Sequence, residues 1–169
     1  MPQAPTAPTE TERASRFEPP RNTQFSVFLD NRVGKMLELL EVFEGQGLQL
    51  AALAVSDAAD HAVVRVLTSS EALARRLLTR AELPFSEIDV LVVETNPAQT
   101  FHDICTALLH AEVNIHYAYP LMVHPRGRPA IVLYTDDNTL SGNLLRRKLF
   151  TLLGENDLGE NRSRSAPEE

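Results

Sequence analysis

The chain has 169 residues, a hydrophobic share of 43% and a formal net charge of −7, enough for one domain or two small ones with a packed core. That acidic balance argues against a nucleic-acid surface, since phosphate neutralisation needs clustered Lys and Arg, and Arg146-Arg147-Lys148 reads as a solvated helix face. The single Cys105 excludes an internal disulfide, no apolar run approaches a membrane span, and Glu10 and Glu12 stand where a secretory signal would be apolar, so a cytoplasmic location is expected.

Residues 1–22, rich in Pro, Thr, Ala and Glu, are expected to form a disordered tail. Phe25, Val27 and Leu29 then alternate with polar residues as in a strand. Val33, Met36, Leu37, Leu40 and Phe43 follow at helical steps, and Gly45 and Gly47 stop the helix. Leu48 to Val55 and Ala62 to Leu67 read as strands around a polar hairpin loop. Ser69 or Ser70 can cap a helix carrying Leu73, Leu77 and Leu78. Ile88 to Val93 is a continuous apolar strand, which completes a βαββαβ module.

The same order then returns. Pro97 to His110 is predicted as a helix, Val113 to Met122 and Ala130 to Tyr134 as strands. Asp136 or Asp137 caps a last helix carrying Leu140, Leu144, Leu145 and Leu149. At an offset of 65 positions, Asn31 falls on Asn96, Met36 on Phe101, Leu48 on Val113 and Gln49 on Asn114. After a two-residue insertion near Arg126-Gly127-Arg128 the echo continues, with Thr68 on Thr135 and Leu77 on Leu144. A repeat of this length is a duplicated module. Module one is assigned to 23–94 and module two to 88–153, with residues 84–94 too few for two strands and a turn. No clear strand follows Gly154, which leaves module two short of its last strand, and 154–169 reads as a second disordered tail. The fold class is α+β, two ferredoxin-like modules side by side in an antiparallel sheet with helices on one face. Strand two of each module is expected to join them, which would bring Gln49 near Asn114.

Chemistry concentrates in Asp30-Asn31-Arg32-Val33-Gly34-Lys35-Met36. A strand turning tightly into a helix leaves backbone N–H groups free for a carboxylate or phosphate, and Gly34 leaves the backbone accessible. The plainer account is that Asp30 or Asn31 caps the helix. Tyr117 and Tyr119 share a strand face with Ile115 and read as packing residues, and Cys105 as a buried structural thiol. The histidines, His102 and His110 among them, lack metal-ligand spacing, and no catalytic triad, phosphate loop or paired carboxylate stands out. Neither metal, cofactor nor catalytic residue is expected.

Leu29-Asp30-Asn31-Arg32-Val33-Gly34-Lys35-Met36, Gly47-Leu48-Gln49-Leu50 and Val113-Asn114-Ile115-His116-Tyr117 together resemble the ACT domain, a small regulatory module that binds amino acids beside metabolic enzymes. The resemblance covers about residues 23 to 152 and is similar to free-standing proteins with two such modules. It implies a non-enzymatic regulator of a metabolic enzyme or a homo-oligomer, whose ligand lies between modules. The implied site joins Asp30, Asn31, Arg32, Val33, Gly34, Lys35 and Met36 with Gln49, Asn114 and His116. Gln99 stands where the first copy has Gly34, so the second loop is expected to be closed. The alternative is a degenerate pair that acts as a ligand-free interaction or scaffold module.

Overall fold

The computed structural model describes residues 18–58 and 60–159. Its elements run β1 (Asn22–Asp30), α1 (Lys35–Phe43), β2 (Leu50–Ala58), β3 (His61–Thr68), α2 (Glu71–Arg80) and β4 (Phe85–Glu94). They continue with α3 (Phe101–Leu109), β5 (Ile115–Pro120), β6 (Ala130–Thr135), α4 (Asn138–Arg147), β7 (Leu152–Leu153) and α5 (Glu155–Leu158). All seven strands of the described residues belong to one antiparallel sheet ordered β2-β3-β1-β4-β6-β5, with β7 also paired to β4.

Strand β4 is the hinge of the architecture. Its first half pairs with β1, from Val27↔Phe85 to Asn22↔Val90. Its second half lies between β6, through Leu91↔Leu133 to Glu94↔Ala130, and β7, through Val92↔Leu153 and Val93↔Leu152. One strand thus ends the first βαββαβ module and begins the second, and β7 is the second module's last strand, cut to two residues.

Period-two alternation gives each strand two different faces. Phe25, Val27 and Leu29 meet Leu39 and Phe43 of α1 and Ala74 and Leu78 of α2. Leu91 and Val93 do the same in the second module, against Ile104, Ala107 and Leu108 of α3 and Leu145 of α4. A third cluster has no helix from α1 to α4. Ala51, Ala52 and Leu67 from the first half meet Tyr119, Leu121 and Val132 from the second. The sheet therefore curls until its helix-free face closes on itself.

Several expectations change. The helix stripe of α1 is Met36, Leu39, Val42 and Phe43. Val33 and Leu37 are exposed, because Gly34 adopts φ 90° and the helix starts only at Lys35. Helix α3 begins at Phe101, since Asn96 and Gln99 close a tight turn before it and Thr100 with Asp103 forms a capping box. Ser70 and Asp137 are the caps of α2 and α4, while Leu140 and Leu149 are exposed. Ile115 does not share a face with Tyr117. The ladder shifts register between them, so Ile115 packs on the helix side and Tyr117 on the other. Residues 154–158 of the expected C-terminal tail are ordered against the sheet layer, with Leu158 only 1% exposed in the third cluster. Asn22, assigned to the N-terminal tail, is buried in β1 and donates to the Leu153 carbonyl at 2.9 Å. Residues 1–17 and 160–169 of the two expected tails lie outside the described residues. Among the described residues the expected join of β2 to β5 is reduced to one backbone hydrogen bond, from Met122 N, two residues beyond β5, to Ala51 O at 2.8 Å. The shared β4 and the closed sheet face tie the modules instead.

Candidate functional site

Neither Asp30 nor Asn31 caps α1; its N-terminus has no side-chain cap. Asn31 reaches the β2–β3 hairpin instead, its amide donating to Asp57 Oδ1 at 3.1 Å. Asp30 uses its carbonyl to accept from Arg32 N at 2.8 Å. Lys35 pairs with Glu38 within the helix at 2.6 Å. Among the described residues the N–H groups of Val33, Gly34, Met36 and Leu37 have no hydrogen-bond partner. The loop stands free in solvent, with Val33 106% exposed and nothing within 4 Å of a Cβ built on Gly34.

The other residues of the expected composite site lie elsewhere. The backbone N–H of Gln49 donates to Ser69 Oγ at 3.0 Å, and its side-chain Oε1 is buried without a partner. Asn114 exchanges hydrogen bonds with Asp136, N–H to Oδ1 at 3.2 Å and carbonyl from Asp136 N at 3.1 Å. The His116 ring lies 5.1 Å from that of Tyr134. No described hydrogen bond joins the first loop to Gln49, Asn114 or His116.

The equivalent loop of the second module, which the sequence leads one to expect closed, carries the largest of the described cavities. It is an open cleft of ≈ 910 Å³ lined by Thr95, Asn96, Pro97, Thr100 and Phe101 on one side, and by Pro120, Arg128, Pro129, Ala130 and Ile131 on the other. Gln99 does not plug it. Its side chain accepts from Asn96 Nδ2 at 3.1 Å and donates to the Lys148 carbonyl at 3.4 Å, which folds it into the turn. Asn96 fixes the same turn by accepting from Ala98 N at 2.9 Å. At the start of α3 the capping residue's amide is occupied: Thr100 N donates to Asp103 Oδ2 at 2.8 Å, and this bond with that of the Thr100 hydroxyl holds the Asp103 carboxyl below the usual range, while the N–H groups of Phe101 and His102 have no partner among the described residues.

Beneath the cleft lies Glu94, whose side chain is 2% exposed. Arg128 NH1 donates to its Oε1 at 3.1 Å and Arg126 Nε stands 3.9 Å from its Oε2. A buried carboxylate needs such partners. Sequence reading missed Glu94 and Arg128, since one ends an apolar strand and the other lies in a short insertion.

A second polar group sits where the sheet closes. Gln24, fully buried, donates to Tyr117 OH at 2.8 Å and accepts from Tyr119 OH at 2.7 Å. Burial, and then the neighbouring Tyr117, push the Tyr119 phenol well above its ordinary range. The Arg65 guanidinium lies over the Tyr117 ring at 4.3 Å. Cys105 is half-buried, and desolvation raises its thiol pKa, away from nucleophilic character. Among the described residues no cluster of His, Cys, Asp and Glu could hold a metal, and no helix is long and apolar enough to cross a membrane.

Comparison with known proteins agrees with this architecture. The family model of the ACT domain pair matches residues 21–160. A solved protein from Bacteroides thetaiotaomicron is similar with a TM-score of 0.72 at 23% identity, over 83% of this chain and 96% of that one. The ligand-free regulatory subunit of aspartate kinase from Thermus thermophilus is similar with a TM-score of 0.50 at 10% identity, over 76% of this chain and 93% of that one. No curated protein sequence matches.

Proposed function

The chain belongs to the ACT domain pair family, regulatory domains that typically bind amino acids, and from that premise we propose that it is a non-enzymatic regulator that binds a small amino acid or related metabolite. The observation that carries this reading is the open cleft of ≈ 910 Å³ beside the second loop. Its size suits a small organic ligand, and it combines apolar walls with a few polar groups, as ligand pockets do. Its described lining holds no pair of nucleophile and base, and binding is the chemistry it supports. The partner to which binding is reported would be a metabolic enzyme or a second copy of the chain, in the cytoplasm.

A second reading keeps the first loop as a half-site. Asp30, Asn31, Arg32, Val33, Gly34, Lys35 and Met36 would be completed by Gln49, Asn114 and His116 of another copy. The unpartnered amides at Val33, Gly34, Met36 and Leu37 favour it, together with exposed Val33 and Leu37. A thermal-shift screen of the full chain against the twenty amino acids tests both. A ligand that binds only the folded state raises the melting temperature, and a screen without any such rise would leave the ligand-free scaffold as the better account.

A further inference from the structure

We propose that the second-module cleft selects a monoanionic carboxylate carried on a large apolar body, with Arg128 as the group that binds the carboxylate and Glu94 as its positioning residue. This rests on the amino-acid-binding reading above and names the ligand class.

The cleft walls are Phe101, Pro97, Pro120, Pro129 and Ile131, and Arg128 is the one charged side chain among its lining residues. An anion entering it has two conceivable partners, the start of α3 or the guanidinium. The start of α3 is disfavoured: its Phe101 and His102 amides have no partner among the described residues, but Asp103 accepts from both the N–H and the hydroxyl of Thr100 at 2.8 Å and stays charged there, so it repels a second anion. The guanidinium is free to bind. Among the described residues its one hydrogen bond goes to Glu94, while its side chain is 58% exposed, and a guanidinium has five donors in a rigid fork.

Glu94 explains why Arg128 stays at the rim. Its carboxylate is buried and its Oε2 has no hydrogen-bond partner, so it depends on the nearby arginines for compensation. Arg126, the other arginine, holds φ 59° in the hairpin, a left-handed backbone that is costly for a side-chain-bearing residue. The hairpin is thus bent to bring both cations to one carboxylate. The paired charge leaves room for one added anion and not for a polyanion. The apolar walls call for a branched or aromatic body; a small polar amino acid would leave them wet.

The test is titration calorimetry on the full chain with L-phenylalanine, L-leucine, phenylalaninamide and inorganic phosphate. The expected result is binding of the two acids, at least about tenfold weaker binding of the amide, and none by phosphate, tenfold being the order for one charged hydrogen bond. Arg128→Ala should weaken the acids by at least about tenfold and bring acid and amide to equal affinity, with Arg128→Lys restoring part of the difference. Glu94→Gln should shrink the acid-to-amide ratio even if its melting temperature falls, a change that mere destabilisation does not produce. Binding unaltered by Arg128→Ala, or an amide that binds as well as the acid to wild type, would overturn the assignment and leave the broader reading standing. Binding by phosphate with comparable affinity would overturn the ligand class. Binding by none of the four compounds would overturn the assignment. The twenty-amino-acid screen then decides the broader reading separately.

Discussion

Replacing Gln24 by Leu tests the closure of the sheet on itself. The side chains are similar in size, so the change is mainly the loss of three hydrogen bonds: to Ser26 Oγ at 3.2 Å, to Tyr117 OH at 2.8 Å and from Tyr119 OH at 2.7 Å. Tyr119 is 7% exposed, so its hydroxyl would be left buried without an acceptor, at about 1–3 kcal/mol. Tyr117 is less buried and loses a smaller amount, roughly 0.5–1 kcal/mol. The expected loss is therefore about 1.5–4 kcal/mol. Tyr119→Phe strands the Gln24 carbonyl oxygen and should cost about 1–3 kcal/mol by the same reasoning. In the double variant both stranded groups are gone, so its loss should fall short of the sum by at least about 1 kcal/mol. Urea unfolding gives all three values from midpoints at constant slope. A Gln24→Leu variant within about 0.5 kcal/mol of wild type, or a strictly additive double variant, would refute the claim that these groups bind the two half-sheets.

The remaining predictions concern the first loop and the Tyr119 phenol. Gly34→Val meets no clash but must hold φ 90°, which costs about 1–2 kcal/mol for a side-chain-bearing residue; unchanged stability in thermal unfolding would mean that the loop can refold around it. Tyr119 holds its proton in the folded state above the ordinary phenol range, whereas the unfolded chain releases it near pH 10. The folded state then binds more protons, so stability should fall as pH rises above that value. Below the unfolding transition, wild type and Tyr119→Phe should show equal tyrosinate absorbance, and a larger amplitude in wild type would contradict the shift.

What could be read from the chain was what periodicity carries. The echo of Phe25-to-Leu29 and Leu91-to-Val93, and of Met36-to-Phe43 and Phe101-to-Leu108, marks two α+β modules in the sequence itself. A strand's alternation says that two faces differ, but not what covers the second. Nothing in the alternation marks Gln24 as buried, although two tyrosine hydroxyls from the other module enclose it. The bulge between Ile115 and Tyr117 inverts the alternation with no marker in residue type. Strand β7 has two residues, too few to carry a period. The cleft beside the second loop was hidden for a similar reason. A glycine against a glutamine suggested an open and a closed loop, yet what matters is where the Gln99 side chain goes, and Asn96 and the Lys148 carbonyl hold it in the turn.

The location of the binding site is the claim on which the account stands. Titrating the isotopically labelled full chain with the most stabilising amino acid, followed by amide chemical shifts, reads it directly. The account predicts that the largest shifts fall on Thr95, Asn96, Thr100, Phe101, Arg128, Ala130 and Ile131, which surround the cleft. Shifts confined to residues 31–37, with the cleft unchanged, would contradict it and move the site to the first loop.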